Sequence, residues 1–294
     1  MRYDTLVVGQ VCLDRNTDFD GTYMETFGGA VLFSGHAAAA LGNRVAVLPK
    51  RNAATVDLSA AFGPASGVHV FGLDSAESTR MENTYFTADR ERRISRCTAC
   101  IDPYRPEELP DVESSIYHIA GLVRGDIGND MIAACAARGM AAVDVQCMLR
   151  CVEPDGAMVF RDWPEKREML PYIRFLKTDA AEAEVLTGLT DRAAAARLLC
   201  SWGAQEVLIT HNTEVLVCDG ANVYTEPLRP RSLAGRTGRG DTCFAGYVTE
   251  RLREDIPTAL LYAAALTSLK METPGPFAGT RRDVDAYIER FYTR

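Results

Sequence analysis

The chain has 294 residues, of which 47% are hydrophobic and 24% are charged, and its formal net charge is −8. This composition is typical of a folded globular protein and excludes extensive disorder. Binding to nucleic acid or to anionic membranes needs a basic surface, so the acidic balance predicts that neither is a partner.

Short runs rich in β-branched residues alternate with helical stretches along the chain. In chain order, strands are predicted at residues 5–9, 44–48, 68–73, 116–120, 140–145, 173–177 and 206–210. Helices are predicted at residues 28–42, 125–139, 191–203, 240–253, 257–271 and 281–291. This alternation favours βα units, so we expect a three-layer α/β/α sandwich with a mainly parallel sheet.

Three segments depart from this alternation. Residues 214–219 and 222–227 read as a β-meander, and residues 10–27 are polar with little helical period. Residues 78–98 read as two short strands joined by a charged turn. Insertions such as residues 10–27 and 78–98 form either surface hairpins or a lid over a crevice. We predict one principal domain over residues 1–294, with a small β lid made by residues 10–27 and 78–98.

The amino-terminal apolar stretch is too short for a signal peptide or a membrane span. The nine cysteines show no disulfide-framework spacing, which predicts reduced thiols and a cytoplasmic protein. Cys97 and Cys100 form a CxxC motif, but no second pair or suitably spaced histidines accompany it. We therefore expect neither a zinc site nor a redox role there.

The stretch "AGRTGRGDTCFAGYVTERL" (234–252) is the most informative in the chain. A Walker A loop is excluded because Asp241 stands where its lysine would be. A dinucleotide fingerprint is excluded because these glycines follow a meander instead of the first strand of a βαβ unit. What remains is a glycine-rich turn that leads into a helix. The free N–H groups of Gly238, Arg239, Gly240 and Asp241 at its start predict an anion hole.

Asp241 gives this turn a second role. A carboxylate beside a phosphate site is best explained as the general base that takes a proton from an attacking hydroxyl, while the amides stabilise the transferred group. The combination indicates phosphoryl transfer. At this stage a simple helix N-cap remains the alternative for Asp241.

The same stretch resembles the C-terminal signature of the PfkB or ribokinase-like carbohydrate kinases, DTTGAGDxFxAG. Other family landmarks follow in the expected order over nearly the whole chain. "GQVCLD" (9–14) resembles the segment that delivers a substrate-binding aspartate, here Asp14, and "GGAVLFSGHAAAALG" (28–42) resembles the segment that places Gly28 and Gly29 near the sugar. The resemblance implies a ribokinase-like fold and an ATP-dependent kinase.

For the donor side, "LKTDAAEAEVLTG" (176–188) resembles KxNxxEAxxLTG. The resemblance implies that Asp179 and Glu182 organise Mg²⁺, through water, and the phosphates of ATP. "VLITHNTEVLVCDG" (207–220) resembles the nucleotide-side strand pair, which implies that Thr210 and Asn212 lie at the ATP site.

For the acceptor side, "VDVQCMLR" (143–150) and "CTACIDPYRPEELP" (97–110) resemble the inositol kinase branch. The resemblance implies that Gln146 and Arg150 join Asp14 in binding a polyhydroxylated sugar, polyol or cyclitol, since hydroxyl recognition needs paired donors and acceptors. An ordinary loop after a strand stays open for Gln146 and Arg150.

Several positions depart from the family pattern. Gly235 replaces an aspartate beside a monovalent-cation site, so the sequence leaves dependence on K⁺ open. Asp179 replaces an asparagine, Asn212 a glycine, Arg239 an alanine and Phe33 an asparagine. These changes keep a sugar or nucleotide sensor without catalysis as one alternative, and a nucleoside kinase is the other. A homodimer through lid strands is also expected.

Overall fold

The computed structural model describes residues 1–63, 67–87 and 93–292. Its strands are β1 (Arg2–Val8), β2 (Cys12–Thr17), β3 (Tyr23–Gly28), β4 (Val45–Leu48), β5 (Lys50–Arg51), β6 (Val68–Val70), β7 (Leu73–Asp74), β8 (Arg80–Tyr85), β9 (Arg93–Ala99), β10 (Glu113–Ile119), β11 (Met140–Asp144), β12 (Arg150–Val152), β13 (Met158–Phe160), β14 (Ile173–Asp179), β15 (Glu206–Thr210), β16 (Glu214–Cys218) and β17 (Val223–Pro227).

The helices are α1 (Ala30–Ala40), α2 (Leu58–Phe62), α3 (Asn129–Ala136), α4 (Gln146–Leu149), α5 (Lys166–Met169), α6 (Ala180–Thr187), α7 (Arg192–Ser201), α8 (Arg239–Glu250), α9 (Ile256–Lys270) and α10 (Arg281–Phe291). Short 3₁₀ turns lie at Pro106–Glu108 and Leu170–Tyr172. None of the helices in the described ranges is both long and apolar enough to cross a membrane.

The main sheet has the strand order β17-β16-β15-β14-β11-β10-β1-β4-β6 in the described part of the chain. Pairs from β15 to β6 are parallel, whereas β15–β16 and β16–β17 are antiparallel. Asp144, Asp179 and Thr210 are the last residues of their parallel strands, so they share the carboxyl edge of the sheet, where α/β folds bind ligands.

Both faces of the main sheet are covered by helices. In β1, Leu6 and Val8 pack in the hydrophobic core that includes residues of α3, α6 and α7, while Val7 packs in the core that includes residues of α1. Further along the sheet, Phe175 and Leu208 pack against α8 and α9. Burial on both faces explains why these strands are continuous apolar runs. The predicted three-layer sandwich is confirmed.

The predicted lid segments lie in a separate four-stranded sheet with the order β3-β2-β8-β9. Strands β2 and β8 pair in parallel, and β3 and β9 pair antiparallel at the two edges. On β8 the side chains alternate between exposed and buried, which is typical of a sheet with one face against the protein. Part of the predicted charged turn, residues 88–92, lies outside the described residues.

A homodimer through this sheet stays a prediction. Large apolar side chains are exposed on the lid and its loops, among them Phe19, Tyr23, Met24 and Ile94, each more than half exposed. Such residues on edge strands favour pairing between two copies. Sedimentation velocity is expected to give the mass of a dimer, and a strictly monomeric mass over a wide concentration range would reject the interface.

Candidate active site

A cleft of about 970 Å³ lies between the lid sheet, the carboxyl edge of the main sheet and the start of α8. Polar side chains dominate the residues that the lid and the strand ends contribute. The predicted site residues that line it are Asp14, Gly29, Gln146, Arg150, Asp179, Thr210, Gly238, Arg239, Gly240 and Asp241. Residues from distant parts of the sequence thus meet in one cavity of the size that small-molecule sites have.

The start of α8 has the geometry of an anion site. Gly238 is the N-cap, with a φ of +77°, and Asp241 lies in the first turn of the helix. The alternative in which Asp241 is itself the N-cap is therefore excluded. The Arg239 N–H donates to the carbonyl of Arg236 at 3.2 Å. Over the described residues the N–H groups of Gly240 and Asp241 have no backbone acceptor outside the helix, as expected of first-turn donors.

Gly238 is required at the N-cap for two reasons. Its φ is unfavourable for a side chain, and a Cβ atom there would lie 2.2 Å from Cδ1 of Phe33. We expect Gly238→Ala to destabilise the protein by about 2–4 kcal/mol because it combines backbone strain with overpacking. Thermal unfolding measures this effect.

Gly188→Ala is the matched control, since Gly188 has a φ of +74° but open space around it. This control is expected to cost about 1 kcal/mol. Equal losses for the two variants would contradict the contact between Gly238 and Phe33.

Asp241 lies at the floor of the cleft and is partly exposed to it. Burial raises the pKa of its carboxyl group, while the positive charges of Lys177, Arg150 and Lys270 act in the opposite direction. In the described part of the chain, no protein hydrogen-bond donor occupies the carboxylate oxygens. A carboxylate of raised pKa that keeps its oxygens available is suited to accept a proton.

Beneath the anion site, Lys177 pairs with two carboxylates. Its Nζ lies 3.0 Å from Oδ2 of Asp144 and 3.7 Å from Oε2 of Glu182. Burial alone would lower the pKa of Lys177, but the two carboxylates raise it above its ordinary value. A Cβ atom on Gly240 would lie 3.5 Å from this Nζ, so a fixed positive charge sits directly below the anion site.

The predicted metal residues form a capping box at the start of α6. The N–H of Glu182 donates to Asp179 Oδ1, and the N–H of Asp179 donates to Glu182 Oε2, both at 2.8 Å. Asp179 lines the cleft, whereas Glu182 has no exposed surface. The side chain of Glu182 therefore reaches the cleft only through its neighbours.

These residues are compatible with a hydrated Mg²⁺. No group of three or more acidic, histidine or cysteine side chains that could enclose a metal occurs among the described residues. Mg²⁺ in phosphoryl-transfer sites keeps several waters and takes one or two carboxylates. Asp179 supplies one carboxylate at the cleft and would hold such an ion. The Oε1 of Glu182 has no hydrogen-bond donor in the described chain, but it is buried and lies 3.9 Å from Nη2 of Arg150.

The paired glycines at the start of α1 allow Asp14 to approach the backbone. A Cβ atom on Gly28 would lie 2.1 Å from Oδ2 of Asp14, and one on Gly29 would lie 2.2 Å from the carbonyl oxygen of Gln10. Gly28 does not line the cleft itself. The absence of a side chain at Gly28 nevertheless leaves room for the Asp14 carboxylate.

Gln146 is the first residue of the short helix α4, and Arg150 directly follows its last residue. The Gln146 side chain is buried and donates through Nε2 to the carbonyl of Gly121 at 3.0 Å. Arg150 Nη2 lies 3.9 Å from Oε1 of Glu182. Both side chains line the cleft, so neither belongs to an ordinary exposed loop.

The lid contributes a hydrogen-bonded chain that the sequence did not single out. Nδ2 of Asn83 donates to Oδ1 of Asn16 at 3.1 Å, and Oγ of Ser95 donates to Oδ1 of Asn83 at 2.6 Å. All three side chains line the cleft. They present neutral donors and acceptors to the cleft.

The loop after β15 is tied to α8 by a side chain. Thr210 is buried at the end of β15, and its Oγ1 donates to the carbonyl of Thr178 at 3.5 Å. Nη2 of Arg239 donates to Oδ1 of Asn212 at 2.6 Å. Two of the residues that depart from the family pattern, Arg239 and Asn212, thus contact each other.

Several cleft residues were missed by sequence reasoning. Lys177 lies inside a motif that was recognised, so its buried charge next to Asp179 was an available signal. Arg236 precedes the anion site and lines the cleft. Asn83 on β8 and Ser95 on β9 alternate with exposed residues along their strands. Such alternation shows which residues share one face of a strand, but it does not show which face lines the cleft.

Comparison with known proteins gives a consistent result. The model of the pfkB family of carbohydrate kinases matches residues 21–281. A solved structure of a pyrophosphate-dependent kinase in the ribokinase family, complexed with a pyrophosphate analog and myo-inositol, is 34% identical with a TM-score of 0.87, and the alignment covers 96% of this chain and 99% of that chain.

A second structure, at 31% identity and a TM-score of 0.86, covers 98% of this chain and 100% of the other. It concerns a pyrophosphate-dependent myo-inositol-1 kinase that was converted into a myo-inositol-3 kinase by replacing an asparagine and a serine with leucine.

More distant proteins share the fold. Ribokinase of Arabidopsis thaliana, complexed with ribose and ATP, has a TM-score of 0.77 at 16% identity over 98% of this chain and 99% of that chain. Cytidine kinase of Thermococcus kodakarensis is 34% identical over 85 residues, which are 28% of this chain and 31% of that protein. The predicted ribokinase-like fold is confirmed.

Proposed function

We propose, since this chain belongs to the pfkB family of carbohydrate kinases, that it transfers a phosphoryl group to a hydroxyl of a cyclitol such as myo-inositol. The observation that carries the proposal is the meeting of Asp241, the free first-turn amides of α8 and a polar acceptor surface in one cleft. Such a base beside an anion hole is what phosphoryl transfer to an alcohol requires.

In the proposed reaction the acceptor hydroxyl lies next to Asp241. Its oxygen forms a bond to the phosphorus, the bond from phosphorus to the donor's leaving oxygen breaks, and the hydroxyl proton passes to the Asp241 carboxylate. The amides of Gly238, Gly240 and Asp241, with Lys177 beneath them, stabilise charge on the transferred group. Mg²⁺ bound at Asp179 would neutralise charge on the donor phosphates. Closure of the lid sheet would exclude water.

The acceptor surface supports a polyhydroxylated ring. Asp14, Asn16, Asn83, Ser95 and Gln146 all line the cleft and offer both donors and acceptors. A nucleoside base would instead need a broad apolar or stacking surface. The described cleft lining holds only Phe33 and Tyr85 as aromatic residues, and Phe33 packs under Gly238. A nucleoside kinase is therefore the weaker alternative.

The sequence predicts ATP as the donor, and a second candidate is pyrophosphate. Two arginines, Arg236 and Arg239, line the cleft beside the anion site. The family pattern has an alanine at the position of Arg239. Guanidinium groups bind phosphate oxygens strongly and in pairs. A donor without an adenosine must obtain its affinity from such charges. The solved structures at 31–34% identity to this chain concern pyrophosphate-dependent kinases.

A substrate panel tests the proposal. Initial rates are measured with myo-inositol, other inositols, hexoses and nucleosides, each with MgATP or magnesium pyrophosphate. We expect turnover with myo-inositol and a larger kcat/KM for pyrophosphate than for ATP. If ATP supports turnover and pyrophosphate does not, pyrophosphate is rejected as the donor. If nucleosides are phosphorylated and inositols are not, the cyclitol is rejected as the acceptor. Binding measured by calorimetry without any turnover would favour a sensor.

The Asn83–Ser95 pair is proposed to determine which hydroxyl reacts. A related kinase changed its product when an asparagine and a serine were replaced by leucine. In this chain an asparagine and a serine hydrogen-bond to each other on the cleft face of the lid. Since this chain has the two polar residues, we infer that it forms the 1-phosphate of myo-inositol.

A further inference from the structure

The loop that precedes α8 is held by a buried lysine. We define residues 235–241 as the anion loop. Lys270, the last residue of α9, is 2% exposed. Its Nζ donates to the carbonyl of Gly235 at 2.6 Å and also to the carbonyl of Thr237. An ammonium group therefore sits on two backbone oxygens immediately before the anion site.

The backbone of the anion loop is fixed to the same end of α9. The N–H of Gly235 donates to the carbonyl of Met271 at 2.7 Å. A Cβ atom on Gly235 would lie 2.0 Å from the carbonyl oxygen of Thr273. No side chain fits at Gly235 without moving this backbone, so no carboxylate at this position can help to hold a cation beside the two carbonyls. Lys270 provides a positive charge from the other side.

The surroundings of Lys270 connect it to the reaction. Its Nζ lies 5.0 Å from the ring centre of Phe33, the residue that packs against Gly238. Asp241 on α8 is the charged group that acts on this ammonium, whereas α1 contributes the uncharged Phe33. Movement of Lys270 would therefore affect both the packing at the N-cap Gly238 and the charge interaction with the proposed base Asp241.

We propose that the Lys270 ammonium is a built-in cation that positions the anion loop and makes an external monovalent cation unnecessary. Two carbonyl oxygens converging on one point are a ligand set for K⁺ or NH₄⁺ as well as for an ammonium side chain. Lys270 is a positioning residue, because it acts on the transferred group only through the loop. The inference rests on the proposed kinase reaction for its effect on rate.

The protonation state of Lys270 gives a supporting observation. Burial lowers the pKa of its amino group to about 8, with Asp241 acting in the opposite direction. Below this pH the group is charged and donates to both carbonyls, and above it the charge is lost. The wild-type rate is therefore expected to decline in alkaline solution as the loop loosens.

The test compares wild type, Lys270→Ala and Lys50→Met in buffers of constant ionic strength with or without KCl or NH₄Cl. Lys50 is the matched control, because it is also 2% exposed but pairs with Glu108 and does not line the cleft. We expect the wild-type rate to change by less than about twofold on addition of either cation. Lys270→Ala should lose about 10- to 100-fold in kcat, with little change in the KM for the acceptor, because the loop amides act on transition-state charge.

Addition of KCl or NH₄Cl should raise the kcat of Lys270→Ala by at least about tenfold, since a small cation can occupy the site between the two carbonyls. Lys50→Met should lose stability but remain within about twofold of the wild-type kcat. A wild type that depends on K⁺, or a Lys270→Ala variant with full activity, would overturn the inference.

Hydrogen exchange separates this inference from the proposed function. Amides of residues 235–241 should exchange faster in Lys270→Ala and slow again with KCl or NH₄Cl, whether or not the assay substrate is correct. If wild type has no kinase activity but the exchange pattern appears, the proposed function fails and the role of Lys270 stands. Unchanged exchange in the variant overturns the role of Lys270.

Discussion

Replacement of Asp241 by asparagine is expected to lower kcat by about a thousandfold, the effect of losing a general base. The amide cannot accept the hydroxyl proton, although its size and its place in the first turn of α8 are unchanged. Burial raises the pKa of Asp241, which means that the protein disfavours its charged form. The variant should therefore unfold at the same temperature as wild type or at a higher one. Initial rates and thermal unfolding, measured on the same samples, test both expectations.

Asp255→Asn is the control for this variant. Asp255 caps α9, and its side chain accepts from the N–H of Thr258 at 2.9 Å, away from the cleft. This change should leave kcat within about twofold, since an asparagine also caps helices well. If Asp241→Asn keeps substantial turnover on the best substrate of the panel, Asp241 is not the base.

The double variant Asn83→Leu/Ser95→Leu is expected to redirect phosphorylation from the 1- to the 3-hydroxyl of myo-inositol. These two hydroxyls are related by the mirror plane of the ring, so the orientation of the bound ring decides which one meets Asp241. Leucines remove the hydrogen bonds that hold one orientation. Because each neutral hydrogen bond contributes about 1 kcal/mol, and an unpaired partner costs more, the product ratio should change by about 100-fold.

The two products are mirror images, so the measurement needs chiral chromatography. Glu82→Leu is the matched control, because Glu82 is exposed on the opposite face of β8 and should leave the product unchanged. An unaltered ratio in the double variant, with activity retained, would contradict the role of Asn83 and Ser95.

Most of the fold could be predicted from the sequence. The seven predicted strands of the βα units became β1, β4, β6, β10, β11, β14 and β15, and the meander became β16 and β17. Strands buried on both faces leave continuous apolar runs, which are a strong local signal. Short elements such as α4, α5 and the β12–β13 hairpin were missed, because four or fewer residues carry too little periodicity.

The chain order of motifs also brought most of the candidate site together. Asp14, Asp179 and Asp241 belong to three distant segments, and each lines the same cleft. Their roles remain predictions. Glu182 shows the limit of this reasoning, since its motif indicates a metal residue but its side chain is fully buried in a capping box.

What the sequence could not provide depends on tertiary contacts. Lys270 resembles any lysine at a helix end, where cations are common. Its function follows only from the two carbonyls that reach it across 33 and 35 residues of chain. The hydrogen bond between Asn83 and Ser95 likewise depends on the register of β8 and β9.

The central claim is that this cleft joins a phosphoryl donor to a cyclitol hydroxyl next to Asp241. Its most direct test is a ³¹P NMR time course of wild type and Asp241→Asn with myo-inositol, Mg²⁺ and either donor. We predict that wild type forms an inositol monophosphate in an amount equal to the donor consumed, and that the variant forms almost none over the same time. Donor cleavage without a phosphomonoester, or equal product from both proteins, would contradict the account.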